Sequence, residues 1–183
     1  MAAFDFDDFS ELNTHHKILS EGLEIFEKLF GFKPKSFIAP NYTWHPSIEP
    51  TLSNYGIKYL QGANIQKIPA GDKLKIKRHV LGSKNRNNLW HITRNVLFEP
   101  ALNTNKDWIT SCLKEIEIAF FWKKPAVISS HRVNYIGFIN EDNRKRNLFA
   151  LNELLENIIK LYPDAEFMTS ADLGELICQT KRP

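Results

Sequence analysis

Cysteine is scarce in this sequence, since only Cys112 and Cys178 occur among 183 residues. Each lies among apolar residues at helical spacing, which is typical of small buried side chains and not of a disulfide framework. The class of disulfide-stapled secreted domains is therefore disfavoured, and we expect a reducing compartment.

Long apolar runs are missing as well. No stretch approaches the roughly 20 apolar residues that span a bilayer. The first twelve residues, MAAFDFDDFSEL, contain neither the basic nor the apolar region of a signal peptide. We therefore expect a cytoplasmic chain with no membrane partner.

Neither positive nor negative charge is in large excess. The 24 lysine and arginine residues nearly balance 21 acidic residues, which leaves a formal net charge of +3. The densest basic run, residues 73–78, alternates with Leu74 and Ile76, as in a strand with one solvated face. Nucleic acid is therefore not an expected partner.

The composition that remains is that of a globular domain, with 43% hydrophobic and 25% charged residues. A chain of this length can bury a sizeable core. We therefore expect residues 1–183 to form a single domain, and the sequence leaves its oligomeric state open.

Apolar positions alternate between helical spacing and short strand-like runs. The predicted helices run from Ser10 or Asn13 to Gly31, over 46–56 and 107–120, around 148–158, and after Thr169. The predicted strands are 36–39, 57–60, 126–130 and 166–169. Two further β-type segments, 74–81 and 89–98, flank the turn-rich residues 82–88 and predict a hairpin or an insertion. This order predicts an α/β fold in which helices cover a parallel sheet.

Polar and aromatic side chains crowd the loops after the predicted strands, where parallel sheets collect their reactive groups. His131 follows the strand 126–130 directly, with Arg132 and Asn134 beside it. An imidazole can transfer a proton near neutral pH, and a guanidinium can hold a developing oxyanion. We expect His131 and Arg132 to be catalytic and Asn134 to bind substrate. The alternative is a histidine that ties the loop together through hydrogen bonds.

Other candidate substrate-binding residues lie in two further segments. Tyr42, Trp44 and His45 follow the first predicted strand, where aromatic faces can form a platform under sugar rings. Simple packing of that loop is the alternative. Arg94 and Glu99 lie in the second β-type segment, where Glu99 can accept a proton or join an arginine in a structural ion pair.

The remaining histidine pair, His15 and His16, is predicted to lie on the surface. Adjacent helical residues point about 100° apart, so they cannot readily ligate one metal ion from a regular helix. Since the sequence contains no paired-histidine zinc motif, the metal ligands stay unknown.

Two segments carry a resemblance to the polysaccharide deacetylases. Residues 30–42, FGFKPKSFIAPNY, resemble the third motif region of that family, with Ala39 in the place of its usual arginine. Residues 127–131, VISSH, look like the strand that ends in the catalytic histidine of the family, with Ser129 in the place of its usual leucine.

The resemblance spans about residues 13–177 and implies the carboxyl-terminal part of a longer (β/α) barrel of the glycoside hydrolase and deacetylase type. The family's aspartate and two metal-binding histidines come from an earlier segment. Asp7 and Asp8 stand too close to Pro40 to belong to it. The cofactor is therefore unknown, and a divalent metal requires ligands that the fold brings together or that sequence outside this chain supplies.

The function implied is that of a carbohydrate-active hydrolase, deacetylase-like, that removes acetyl groups from a saccharide with His131 as proton donor. The alternative is a non-catalytic carbohydrate-binding relative that has lost the metal site. A carbohydrate is the expected partner in both cases.

Overall fold

A computed structural model describes residues 2–180 and shows a mixed α/β chain. The described residues divide into two compact units. The first unit contains residues 2–93 and 168–180, and the second contains residues 94–167. The prediction of a single domain over 1–183 stays a prediction.

The first unit contains three helices and five strands. The helices are α1 (Leu12–Phe30), α2 (Glu49–Asn54) and α5 (Ser170–Thr180), and the strands are β1 (Ser36–Ile38), β2 (Tyr59–Gly62), β3 (Ile65–Pro69), β4 (Leu74–Arg78) and β5 (Trp90–Thr93). Helix α1 ends as predicted at Gly31, whose left-handed conformation (φ 74°) lets its N–H bond to the carbonyl of Glu27.

Strands β1, β2 and β5 form a parallel three-stranded sheet in that order. Part of its apolar surface packs against the neighbouring helices, and the core includes Leu19, Ile48, Leu52, Leu60 and Leu89. The predicted parallel sheet is therefore confirmed for this unit, and its carboxyl edge lies at Ile38, Gly62 and Thr93.

The predicted hairpin between segments 74–81 and 89–98 is wrong. Strand β4 instead pairs antiparallel with β3, from Pro69 opposite Leu74 to Ile65 opposite Arg78. Residues 90–93 join the parallel sheet beside β2. Every residue of β4 is exposed, so the alternation of lysine with Leu74 and Ile76 marks no buried face.

The second unit contains two short parallel strands and two long helices. The strands are β6 (Val96–Leu97) and β7 (Ile128–Ser129), and the helices are α3 (Trp108–Phe121) and α4 (Glu141–Leu161). Asp107 and Asn140 cap the two helices, because their side chains accept hydrogen bonds from the N–H groups of Thr110 and Asn143. The core between the helices and strands includes Val96, Phe98, Ile116, Leu154 and Ile158.

The predicted strand 166–169 is absent from the described structure. These residues are exposed, and Thr169 instead begins α5: its hydroxyl accepts from the N–H of Asp172, whose carboxylate accepts from Thr169. Over residues 2–180 the strands form three separate sheets and no closed barrel. No helix in these described residues is long and apolar enough to cross a membrane.

Candidate functional site

The register of β6 and β7 brings two distant polar residues together. Leu97 lies opposite Ser129, and the N–H of Phe98 bonds to the carbonyl of Ser129 at 2.9 Å. Glu99 comes two residues after Leu97, and His131 comes two residues after Ser129. Both therefore stand at the carboxyl end of the parallel strands. A parallel ladder therefore joins residues that are 32 positions apart in sequence.

Glu99 and His131 form a direct side-chain contact. The Oε1 atom of Glu99 lies 2.5 Å from Nδ1 of His131, and Oε2 accepts the backbone N–H of His131 at 3.3 Å. The side chain of Glu99 is only 1% exposed, whereas that of His131 is 60% exposed. The carboxylate is thus enclosed by protein while the imidazole reaches the surface.

A buried carboxylate needs donors to replace its water, and Glu99 has three. Besides the two from His131, Nδ2 of Asn134 donates to Oε2 at 2.8 Å. The predicted pairing of Glu99 with an arginine is not what the contacts show, because its partners are an imidazole and an amide. A carboxylate that holds one ring nitrogen orients the ring.

Asn134 lies behind this pair and is 0% exposed. Its Oδ1 accepts the N–H of Ala101 at 2.9 Å, and its backbone carbonyl accepts from Nδ2 of Asn147 at 2.9 Å. All polar atoms of its amide are therefore used within the protein. Its role as a substrate-binding residue stays a prediction, and the contacts indicate that it supports Glu99.

The two predicted arginines both belong to the second unit, where Arg94 precedes β6 and Arg132 follows β7. Arg132 is exposed in the 3₁₀ turn Arg132–Asn134, directly after His131. Arg94 is half-buried, and its guanidinium donates to Oγ of Ser129 at 3.3 Å. Tyr135 contacts Oγ of Ser130 through its hydroxyl, and burial raises the pKa of Tyr135, so this phenol stays neutral.

The aromatic loop of the first unit follows β1. Asn41 and Tyr42 both adopt left-handed conformations, with φ of 53° and 57°, which residues other than glycine rarely do. The ring of Tyr42 packs over Gly62 at the end of β2, where an added Cβ would lie 3.1 Å from it. Strained backbone of this kind concentrates at functional sites, and substrate binding by Tyr42 stays a prediction.

The side chains of Trp44 and His45 both contact other residues of the first unit. Trp44 is buried, and its indole N–H donates to Oε1 of Glu49 at 3.2 Å. The Nδ1 atom of His45 accepts the N–H of Ser47, the ring contacts Phe6, and burial lowers the pKa of His45. These contacts match the packing alternative for the loop, and sugar binding by either residue stays a prediction.

Sequence reasoning missed the surroundings of Glu49. This buried carboxylate also accepts amide hydrogens from Asn85 at 2.9 Å and Asn87 at 2.8 Å, which lie in the turn between β4 and β5. The three asparagines among residues 85–88 were the available signal, because amide side chains are common partners of buried carboxylates.

The surface assignment of His15 is wrong, because its side chain is buried with 4% exposure. Its ring lies between Phe4 and Phe6, and its Nδ1 has no hydrogen-bond partner in the part of the chain that the structure describes. The apolar amino-terminal segment folds over this face of α1, which helical periodicity alone does not reveal. His16 is half-buried and contacts Oγ1 of Thr51 at 2.7 Å.

Residues 2–180 contain no group of three or more histidine, cysteine, aspartate or glutamate side chains placed to hold a metal ion. Cys112 and Cys178 are free, as the sequence predicted, and Cys112 is fully buried.

Comparison with known proteins identifies one family. The model of glycosyl hydrolase family 57 matches residues 13–132. No curated protein and no solved structure matches the chain. The predicted membership of the polysaccharide deacetylases is therefore wrong. The match supports a hydrolase that acts on carbohydrate and does not support deacetylase activity.

Proposed function

We propose a function from the premise that the chain belongs to glycosyl hydrolase family 57. The chain carries part of a glycoside hydrolase-type barrel and takes part in hydrolysing the bond between sugar residues. Its reactive centre in the second unit is the imidazole of His131, held by Glu99 at the carboxyl ends of β6 and β7.

The observation that supports this proposal is the contrast in burial within the Glu99–His131 pair. The carboxylate is enclosed and hydrogen bonded, while the ring that it orients is more than half exposed. Because Glu99 occupies Nδ1, Nε2 is the ring atom that meets a saccharide or a water molecule. An oriented imidazole at a strand end can give or take a proton, which typically contributes about 10²- to 10⁴-fold to a rate.

Arg132 is the second member of the centre. Its guanidinium follows His131 directly and is exposed, so it can donate hydrogen bonds to sugar hydroxyls or to a developing negative charge. Arg94 lies beside Ser129 at the end of β7 and supplies a further guanidinium in the same unit.

The test is hydrolysis of a panel of oligosaccharides and aryl glycosides by the purified chain, followed by release of reducing ends. We expect His131→Ala to lower the rate by about 10²-fold or more while the unfolding midpoint changes little. His16→Ala is the matched control, since His16 is also partly accessible and belongs to the other unit. Equal rates for the wild type and His131→Ala would remove His131 from the reaction.

A second candidate function is carbohydrate binding without catalysis, and the enclosure of Glu99 favours it. Glycoside hydrolases commonly use two carboxyl groups that face the scissile bond. Glu99 is committed to three protein donors and does not face solvent. Calorimetric binding of an oligosaccharide with no release of reducing ends would select this candidate over hydrolysis.

A further inference from the structure

The amide of Asn134 has a fixed orientation. Its Oδ1 accepts the backbone N–H of Ala101, which can only donate, so this end of the amide is the oxygen. Its Nδ2 then points at three acceptors, which are Oε2 of Glu99 at 2.8 Å, the carbonyl of His131 at 2.9 Å and Oγ of Ser130 at 3.1 Å. The side chain therefore presents a donor, and not an acceptor, to Glu99.

Two asparagines of α4 hold Asn134 in place. Asn147 is fully buried, and its Nδ2 donates to the backbone carbonyl of Asn134 at 2.9 Å and to Oδ1 of Asn143 at 3.0 Å. The Nδ2 of Asn143 in turn donates to the carbonyls of Val133 and Ile136 at 3.0 and 3.1 Å. The turn after His131 is thus tied to a long helix, which keeps Asn134 from rotating away.

This arrangement divides the two oxygens of Glu99 between different partners. Oε2 receives the donors of Asn134 and of the His131 backbone, and Oε1 is left for Nδ1 of the His131 ring. An ionised carboxylate can only accept hydrogen bonds, so a neutral His131 must carry its hydrogen on Nδ1.

We propose that Asn134 is a positioning residue that, through Glu99, fixes the His131 tautomer with hydrogen on Nδ1 and a lone pair on Nε2. The exposed side of the ring then accepts a hydrogen bond from a sugar hydroxyl or from water. This inference deepens the proposed function and gives its imidazole the role of an acceptor, whereas the sequence analysis expected a proton donor. The tautomer can nevertheless be measured without any substrate.

The first experiment replaces Glu99 by glutamine. Since Asn134 and the His131 backbone both donate to the Oε2 position, the carbonyl oxygen of the new side chain must take that place. Its NH₂ group then faces Nδ1, which must become the acceptor. We expect Glu99→Gln to move the ring hydrogen from Nδ1 to Nε2.

The measurement is the long-range ¹H–¹⁵N correlation spectrum of labelled protein at alkaline pH, where imidazoles are neutral and the two tautomers have distinct patterns. His131→Gln identifies the signals of this ring among the six histidines. The wild type must show hydrogen on Nδ1, and a wild-type ring with hydrogen on Nε2 would overturn the proposal whether or not any variant folds.

The second experiment assigns the effect to Asn134. In the double variant Glu99→Gln with Asn134→Asp, the new carboxylate at position 134 accepts a hydrogen bond from the NH₂ group of the new glutamine. The carbonyl oxygen of that glutamine then turns toward Nδ1 of His131. We expect hydrogen to return to Nδ1. The backbone N–H of His131, at 3.3 Å the longest of the three contacts, loses its acceptor.

The matched control is Glu99→Gln with Asn157→Asp, which adds the same charge at a half-buried position of α4. This control must keep the tautomer of the single Glu99→Gln variant. If both double variants give the same spectrum as the single variant, Asn134 does not set the tautomer and the proposal fails. Failure to hydrolyse or bind any saccharide would instead reject the proposed function and leave this result standing.

Discussion

The imidazole rings of His79 and His91 stack on each other, with centroids 3.7 Å apart and planes only 17° from parallel. His79 follows β4 and His91 belongs to β5, and both side chains are buried. The Nε2–H of His79 donates to Oε1 of Gln66 at 2.8 Å, because the amide nitrogen of Gln66 is already used by the carbonyl of Trp44. At this contact His79 is therefore the donor and Gln66 the acceptor.

This stack predicts a loss of stability in acid. Burial lowers the pKa of His79 to about 4 and that of His91 to about 3, with Lys77 near both rings and His79 adding to the effect on His91. Both folded values lie below the ordinary 6.5, so the unfolded chain binds protons first as the pH falls. Stability is complete above about pH 6.5 and falls from there toward pH 4 for His79 and pH 3 for His91.

The measurement is urea unfolding as a function of pH. Each histidine contributes a slope of about 1.4 kcal/mol per pH unit inside its window. His91→Phe keeps a stacked ring and removes one titrating group, so its slope below pH 6 should be smaller by about that amount. An unchanged slope in His91→Phe would contradict the assignment of acid sensitivity to the stack.

A second prediction concerns the unequal burial of Glu99 and His131. Glu99→Ala removes a fully buried side chain and takes one of three acceptors away from Nδ2 of Asn134, so we expect a loss of about 2–4 kcal/mol in the free energy of unfolding. His131→Ala removes a ring that is 60% exposed and should cost about 1 kcal/mol. Denaturant unfolding of both variants checks the ranking, and a larger loss for His131→Ala would favour the loop-tying role of that histidine.

A third prediction tests how α5 packs on the sheet of the first unit. A Cβ at Gly174 would lie 2.4 Å from Cδ1 and Cε1 of the buried ring of Tyr59 in β2, so one of the two elements must move. We expect Gly174→Ala to destabilise the chain by about 1–3 kcal/mol, as overpacking usually does.

The control for this substitution is Gly22→Ala in α1. Apart from its chain neighbours and the backbone of its own helix, no heavy atom lies within 4 Å of a Cβ at Gly22, and alanine is the better helix former. This variant should gain about 0.5–1 kcal/mol in the free energy of unfolding. Thermal unfolding of the two variants must shift in opposite directions, and a stabilised Gly174→Ala chain would contradict the described packing of α5.

Local chemistry explains why several elements could be predicted from sequence. Helix α1 follows from apolar residues at helical spacing and from a glycine at its end, because both act within a few residues. The prediction of a strand over 166–169 was wrong because its local pattern has no partner in space. Phe167 and Met168 have no strand beside them, and the reciprocal hydrogen bonds of Thr169 and Asp172 start a helix.

Strands can pair with partners that are distant in sequence, and a local sequence pattern does not show which partner is used. The hairpin prediction therefore had little to support it. The segment 89–98 contains two strands, of which β5 joins the parallel sheet of the first unit and β6 joins β7 in the second. Two residues, Arg94 and Asn95, separate these strands, and neither is a glycine or a proline that would mark a boundary. Burial of each strand against its own helices decides the division.

The sequence by itself determined the alternation of helices and strands, the placement of His131 close to the end of a strand, and the lack of a paired-histidine motif, because these depend on neighbouring residues. Only the tertiary structure decided that Glu99 meets His131, that Asn134 stands behind them, and that His15 is buried between phenylalanines. A parallel register joins residues far apart in the chain, and burial depends on every element packed around a side chain.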